Sequence, residues 1–504
     1  MALAYRQPGV RVSEVVTPQI SPLVAAPADI ALVGRARGYQ IRTDQFTLNG
    51  TSAIPLPGLP VGATVTAVDS VKDALDPSKG QATGAGYTVT TDYTVQAAAG
   101  TITRVGAGAI ADGRLVNVTY RYVAADYFDP IRLFDMAAVE ERFGPSVTAS
   151  GNAISSHLSY AAAIAFENGA PSVVCQALFR RSTPGDPTTA RNDVDDTQAA
   201  ALSSWTDTLF VLRDIEDINI LVPVVGQSQP NIGDATWLSI AQAFQDHVQY
   251  MKTNDQHMVT ILGEDSSASA SVAQKATLRT HVGTLAGRYG GAVAENTVMV
   301  SPSKFRRAFP AYGVTNYIGG QFVAAALAGM IASRPVSSSL TKKSVSGFIE
   351  VAPWASGLSK QDKDDDASVG LLVIEQSKGL ITVRHSVTTA TDQSARRELS
   401  VVRAKHRLIE SIRDTLDRQI IGNLIADENA PFVVASAVSG VLAELLQQRD
   451  IVDYGPPSAR IMSLEPTTIQ VKFSYRPAFP VNYIDVSFSL DLSTQTITDN
   501  AATT

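Results

Sequence analysis

From about residue 124 to residue 350, helical stretches alternate with short apolar runs, and this alternation constrains the fold more than any other feature. The apolar runs are too short for buried helices and suit strands that are covered on both faces. A sheet with helices on both sides buries such strands, so we predict an α/β core formed by residues 29–40 and 124–350. The predicted helices lie at 135–143, 152–167, 196–212, 234–251, 270–286 and 324–331, and the predicted strands at 173–178, 218–225, 258–262 and 297–300.

Residues 41–123 interrupt this core with a different pattern. Apolar and polar side chains alternate along 87–95 and again along 116–122, which is typical of strands with one solvated face. Asp112-Gly113 lies between apolar runs and indicates a turn. We therefore predict an inserted all-β domain.

Residues 351–480 combine both patterns, and we predict an α+β domain there. Its long amphipathic helix is closed by Gly422, a residue type that favours helix ends. The predicted elements are strands at 371–375, 380–384 and 469–476, helices at 392–421 and 434–448, and a polar loop at 361–366.

Both ends of the chain are predicted to be extended arms, at 1–28 and 481–504. Prolines at 8, 18, 22 and 27 exclude a continuous helix from the first arm, and its β-branched run at 10–16 favours a strand. In the second arm, apolar side chains occupy every other position from 484 to 492. Neither arm has enough neighbouring strands in sequence to form a sheet by itself.

No catalytic pattern emerges from the sequence. A phosphate-binding glycine loop, a nucleophile elbow and a pair of histidines at helical zinc spacing are all missing from the 504 residues. The single cysteine, Cys175, excludes an internal disulfide and is interpreted as a buried strand residue. Four aspartates at 362, 364, 365 and 366 are interpreted as a solvated loop and not as a calcium site. We expect no enzyme, no cofactor and no metal.

The charge distribution limits the classes of partner. The net charge of −7 argues against nucleic acid, and no apolar run is expected to reach membrane-spanning length, so we predict neither nucleic-acid binding nor direct membrane insertion. The helix at 392–421 is the exception, because basic side chains outnumber acidic ones on it. It is either a docking strip for an acidic partner or a solvated helix with pairs such as Asp414–Arg418. The strip consists of Arg396, Arg397, Arg403, Lys405 and Arg407.

Several short segments of the chain, in the order in which they are given below, resemble segments of the contractile tail sheath proteins of phages. The match extends over most of the chain, although a diproline of the family is replaced by Ile318-Gly319-Gly320 and a Trp-Gly-Ala-Arg segment by Val383-Arg384-His385-Ser386. The segments are Pro8-Gly9-Val10-Arg11-Val12-Ser13-Glu14, Phe143-Gly144-Pro145, Ala165-Phe166-Glu167-Asn168-Gly169-Ala170, the strand at 218–225, the helix at 324–331 with Ala332-Ser333-Arg334-Pro335, and Lys378-Gly379-Leu380-Ile381-Thr382-Val383.

The resemblance implies a structural subunit that polymerises helically around an inner tail tube and contracts to drive the tube through the host envelope for genome delivery. It implies partners: other copies of the chain, in stacked hexameric rings, the tube protein, and baseplate and tail terminator proteins. It implies a location in the virion tail after assembly in the host cytoplasm. The inserted domain would then lie on the outer surface, and residues 351–480 on the inner surface facing the tube.

The resemblance further implies that each arm adds a strand to a sheet of a neighbouring copy. An added strand gains main-chain hydrogen bonds and side-chain pockets. The expected arm contacts are Val10, Val12, Val15, Ile484, Val486, Phe488 and Leu490, and the expected tube-facing residues are Arg396, Arg397, Arg403, Lys405 and Arg407. Two alternatives remain open: a cytoplasmic α/β enzyme with an inserted β-domain, and the sheath of a phage-derived contractile injection particle.

Overall fold

The computed structural model describes residues 29–75, 84, 86–150, 153–215, 217–225, 233–264, 272–302, 304–307, 317–351, 359–463, 465–482 and 484. Helices and strands are mixed along the chain. The helices are α1 (Met136–Phe143), α2 (His157–Glu167), α3 (Asp196–Ala199), α4 (Leu202–Val211), α5 (Asp234–Thr253), α6 (Val272–Gly287), α7 (Gly320–Ala332), α8 (Lys360–Ser368), α9 (Ser394–Arg397), α10 (Leu399–Gln419) and α11 (Ala430–Gln447).

Most of the 24 strands among the described residues are short. In chain order they are β1 (Ile30–Gly34), β2 (Gln40–Leu48), β3 (Ile54–Pro55), β4 (Thr64–Asp73), β5 (Gly86–Tyr87), β6 (Tyr93–Gln96), β7 (Thr101–Arg104), β8 (Arg114–Val123), β9 (Ile131–Leu133), β10 (Val173–Ala177), β11 (Arg180–Arg181), β12 (Arg191–Asn192), β13 (Ile220–Val224), β14 (Val259–Gly263), β15 (Thr297–Ser301), β16 (Lys304–Arg306), β17 (Tyr317–Gly319), β18 (Glu350–Val351), β19 (Leu371–Ser377), β20 (Leu380–Val383), β21 (Ile451–Tyr454), β22 (Ser458–Met462), β23 (Glu465–Lys472) and β24 (Tyr475–Pro477).

The core is an eight-stranded sheet in the order β20-β19-β15-β14-β13-β1-β10-β9. The six inner strands are parallel, and the two outer strands, β9 and β20, run antiparallel to their neighbours. β1, β10, β13, β14 and β15 are buried along their whole length, as the short apolar runs predict. The predicted mixed α/β character is confirmed.

Successive side chains of β1 enter two different hydrophobic layers. Ile30 and Leu32 join one layer with residues of α1, α2 and α7, whereas Ala31 and Val33 join the other with residues of α4, α5 and α6. This alternation follows from the two-residue period of a strand. Helices therefore cover both faces of the sheet.

The buried helix α7 packs against α2 at very short range. All of its residues are buried, and Gly329 lies where an added Cβ would approach the Ala165 carbonyl oxygen to 2.2 Å. A side chain at this position would force the two helices apart. Gly329 therefore sets the distance between α2 and α7.

Residues 40–123 form a separate β region with a hydrophobic interior of its own. β2, β8, β4 and β5 form one sheet, and β3, β7 and β6 form another. The expected turn at Gly113 is present, with a φ angle of 72°. The expected continuous strand at 87–95 is wrong: Thr90 has a φ angle of 70°, and the chain turns there between β5 and β6.

The acidic loop predicted at 361–366 is also wrong, because α8 covers it. Ser359 and Asp362 form a reciprocal capping box at the first turn, which stabilises the helix start. Asp366 is buried and pairs with Arg279, with a distance of 2.6 Å between the carboxylate and guanidinium. Pairing with α6 therefore accounts for part of this acidic cluster.

Helix α11 is apolar and, at 18 residues, long enough to cross a membrane by length and composition alone. The expectation of no apolar run of this length is corrected by this helix. One face of α11 is nevertheless packed inside the protein, with Val438, Val441 and Leu442 in a cluster that includes Leu408 of α10. A core helix of a globular protein passes the same length test.

Candidate assembly interface

The C-terminal part of the chain is built on α10 and α11. The side chains of Leu408, Val441 and Leu445 form a small core between these helices, and Val471 and Tyr475 from the last strands pack against it. This core holds two hairpin-like sheets at the surface, β21 with β24 and β22 with β23.

The sheet of β22 and β23 has the geometry of a strand acceptor. Its antiparallel register pairs Ala459 with Val471 and Ile461 with Ile469, and within the described ranges no third strand joins it. A two-stranded sheet of this kind, unpaired with a third strand among the described residues, is one to which a further strand can be added.

The described chain begins at Asp29, directly after the predicted first arm, and Asp29 is held by a chain of hydrogen bonds. The backbone N–H of Asp29 donates to Asn219 Oδ1 at 3.1 Å, and Asn219 Nδ2 donates to Glu410 Oε1 of α10 at 3.0 Å. Arg132 also pairs with the Asp29 carboxylate at 2.8 Å. The predicted arm contacts Val10, Val12 and Val15 lie outside the described residues.

The second arm begins next to the start of α10. Asn482 Nδ2 donates to Glu398 Oε2 at 3.1 Å and lies 3.2 Å from His385 Nε2. Of the predicted contacts in this arm, Ile484 is described and exposes 79% of its surface. Val486, Phe488 and Leu490 lie outside the described residues.

The five basic residues predicted to face a tube all have contacts within the subunit. Arg396 pairs with Asp392 and Glu295, and Lys405 Nζ lies 2.7 Å from Glu295 Oε1. Arg397 donates to the Ala367 carbonyl at 2.8 Å. The strip therefore carries less free charge than the sequence suggests.

Arg403 and Arg407 are more enclosed than Arg396 and Lys405. Arg403 is only 7% exposed and donates to the carbonyls of Val336 and Ile331. Arg407 lies 3.1 Å from the buried carboxylate of Asp450. Arg403 is therefore buried in the subunit, and its expected contact with a tube stays a prediction. The tube-facing role of the other four basic residues likewise stays a prediction.

Burial changes the proton affinity of three groups around α10. Burial lowers the pKa of Arg403 to about 10. Burial raises the pKa of Glu410 to about 7, against the opposing effect of Arg413. Burial also acts to raise the pKa of Glu295, but Lys405, Lys252 and Arg396 outweigh it and hold that pKa below its ordinary value.

Sequence reasoning did not identify the acidic partners Glu295, Glu410 and Asp450. Glu295 and Lys405 are 110 positions apart in the chain, so no local spacing relates them. Long polar side chains that meet across elements leave no periodic signal. Across the described ranges, no group of three or more histidine, cysteine or acidic side chains is arranged to hold a metal.

Comparison with known proteins identifies a relative of this chain by its sequence. The chain is 30% identical over 396 residues to a tail sheath protein of Mycobacterium phage Bxz1; the match covers 78% of this chain and 61% of that protein. The chain thus spans about three-fifths of the length of this relative. No family model matches.

Two solved structures share the fold at low sequence identity. The helical sheath of the anti-feeding prophage in its contracted state matches with a TM-score of 0.55 and 12% identity, over 97% of this chain and all of that one. The contracted sheath complex of PVC, an extracellular contractile injection system, matches with a TM-score of 0.53 and 10% identity, over 98% of this chain and 99% of that one. The resemblance to contractile tail sheath proteins is confirmed.

Proposed function

We propose that this chain is the subunit of a contractile tail sheath, which polymerises around an inner tail tube and contracts to drive that tube through a host envelope. The observation that carries the proposal is the 396-residue similarity to a phage tail sheath protein. The fold shared with two helical sheaths supports it. A structural role is favoured over the enzyme alternative. The two solved sheath structures support only the fold. The proposal that this chain serves genome delivery from a virion tail therefore depends on the similarity to the phage protein.

In this proposal, neighbouring copies are connected by their arms. The sheet of β22 and β23 supplies open edges, and the arms at 1–28 and 481–504 supply strands. A contact between two different surfaces of the same protein generates an open helix when its rotation does not close a ring. Stacked hexameric rings, an inner tube protein, and baseplate and terminator proteins are the proposed partners.

The proposed contraction needs two arrangements of the same subunits. Arms that stay paired with their neighbours allow the body of each subunit to rotate and shift without the polymer coming apart. Individually weak surface contacts, of about 0–1 kcal/mol each, can then be exchanged as the body moves. Repetition along the tube makes such contacts strong together.

Electron microscopy of the purified full chain tests the proposal. We expect cylinders or stacked rings under negative stain, and a second sample lacking residues 1–28 is expected to stay folded by circular dichroism but to form no cylinders. Cylinders of normal length from the truncated chain would contradict the role of the first arm. A full-length chain that remains monomeric at high concentration, with and without tube protein, would contradict the sheath proposal itself.

A further inference from the structure

Two exposed apolar surfaces of opposite charge lie on different elements of the chain. The first, here called the acidic tip, is the connection between α10 and α11 together with the first turn of α11. Its large apolar side chains are unusually exposed, at 67% for Ile421, 81% for Ile425 and 73% for Phe432. Asp427 and Glu428 are exposed beside them. Such apolar exposure in a cluster is typical of a contact surface.

The second surface, here called the basic edge, surrounds the turn between β19 and β20. Leu380 is 60% exposed and Ile349 is 48% exposed, and Lys343 and Lys378 are exposed with them. A side-chain hydrogen bond connects the two segments: Gln376, whose backbone pairs with Ile381, donates from Nε2 to the Ile349 backbone carbonyl at 3.4 Å. The backbone carbonyl of Lys343 accepts from Val383 N at 3.0 Å, at the other end of β20.

Among the described residues, charged side chains of both surfaces lack ion-pair partners. Glu428 has no ion-pair partner among the residues that the structure describes, and the same holds for Lys343 and Lys378. These three differ in this respect from neighbouring residues such as Lys342, which pairs with Glu375 at 2.7 Å. The tip is thus apolar and negative, and the edge is apolar and positive.

We propose that the acidic tip of one copy binds the basic edge of a neighbouring copy. This inference rests on the proposed function, because it requires a polymer of this chain. The apolar side chains supply contact area, and the opposite charges at the rim select the partner and the register. The two surfaces are different, so the contact is head-to-tail and propagates without closing on itself.

A second copy suits the tip better than contact of the tip with itself. In a tip-to-tip pair, Glu428 of one copy would lie near Glu428 of the other, and like charges at an interface oppose binding. The acidic tip and the basic edge belong to the same chain, so every copy carries one of each. A line of copies therefore leaves a free tip only at one end and a free edge only at the other.

Cysteine cross-linking tests this contact directly. Cys175 is the single cysteine of the chain and is fully buried, so introduced surface thiols are the reactive ones. Full-length Ile425→Cys and Leu380→Cys variants are purified separately, mixed, assembled and oxidised mildly. We expect a disulfide-linked dimer from the mixture and none from either variant alone.

The outcomes separate this contact from the sheath proposal. Dimers from Ile425→Cys alone would show a tip-to-tip contact and overturn the inference. Cylinders that form without any mixed dimer would also overturn it while leaving the sheath proposal in place. A wild-type chain that never assembles would instead count against the sheath proposal.

Charge exchange provides a second measurement that does not depend on disulfide geometry. Glu428→Lys and Lys378→Glu are each expected to raise the concentration needed for assembly about threefold, as for one exposed ion pair. The double variant, which restores opposite charges, is expected to return close to wild type. Lys72→Glu in the inserted β region makes the same charge change as Lys378→Glu and serves as the control. Equal effects of Lys72→Glu and Lys378→Glu, with no rescue in the double variant, would overturn the contact.

Discussion

Replacing Glu410 with glutamine should change how the stability of the subunit depends on pH. The carboxyl group of Glu410 lies on α10 and accepts a hydrogen bond from Asn219, and its burial raises its pKa from 4.5 to about 7. Below pH 4.5 the group is protonated in both the folded and the unfolded chain, so its burial does not lower the stability of the folded state. As the pH rises from 4.5 through 7, the unfolded chain releases this proton more readily than the folded chain, so the folded state loses stability.

The size of the effect follows from the pKa difference. One pKa unit corresponds to about 1.4 kcal/mol, so a rise from 4.5 to about 7 destabilises the folded state by about 3 kcal/mol above pH 7. Glutamine is neutral at every pH and can accept the same hydrogen bond from Asn219 with its side-chain oxygen. The Glu410→Gln variant is therefore expected to gain about 3 kcal/mol over wild type at pH 8, but to show a much smaller difference near pH 4.5.

Urea unfolding at a series of pH values between 4.5 and 8 measures this difference, with tryptophan fluorescence as the signal. Glu428→Gln, at an exposed position, removes the same charge and is the matched control, with a nearly constant offset expected. Parallel curves for wild type and Glu410→Gln across the whole pH range would refute the argument from burial. If Glu410→Gln were stabilised over wild type more at pH 4.5 than at pH 8, the predicted direction of the pH dependence would be wrong.

Two further predictions concern packing and buried charge. Gly329→Ala should destabilise the subunit by about 1–3 kcal/mol, because the added methyl group would meet the Ala165 carbonyl. Gly440→Ala, in open space on α11, is the control and should stabilise the subunit by about 0.5–1 kcal/mol. Thermal unfolding compares the two variants, and equal shifts of the melting temperature would contradict the close packing of α2 and α7. Arg403→Glu should lower the free energy of unfolding by at least about 3 kcal/mol, because the new charge is buried. Arg418→Glu, on the exposed end of α10, is the control and should lower it by less than about 0.5 kcal/mol. Soluble yield and the unfolding midpoint measure both effects, and a fully stable Arg403→Glu subunit would show that this side chain reaches solvent.

The core strands were predictable because burial on both faces requires a continuous apolar run. β10, β13, β14 and β15 each lie within or next to a predicted strand, with differences of one or two residues at their ends. The long helix at 392–421 was predicted by its apolar stripe, although the structure divides it at Glu398 into α9 and α10. The resemblance to sheath proteins was also accessible from the order of short segments.

Elements that depend on contacts across the chain were not predictable from local pattern. The acidic residues of α8 look like a loop until Lys275 and Arg279 of α6 are placed beside them. The alternation at 87–95 is that of a strand, and nothing in it reports the turn at Thr90. The contacts of Arg403 and Lys405 come from residues 67 to 110 positions away, so a helical wheel shows the two side chains as free.

The two outer strands of the large core sheet are protected against unwanted pairing. β9 has three residues, and beyond β20 the segment at 342–345 exchanges backbone hydrogen bonds with Ile381 and Val383. A short strand and an already occupied edge are both devices that keep sheets from joining edge to edge. Copies of this chain at high concentration are therefore kept from aggregating through their largest sheet. In the proposed polymer an arm pairs with the small sheet of β22 and β23 instead, so the protection of the core sheet would also direct where that polymer grows.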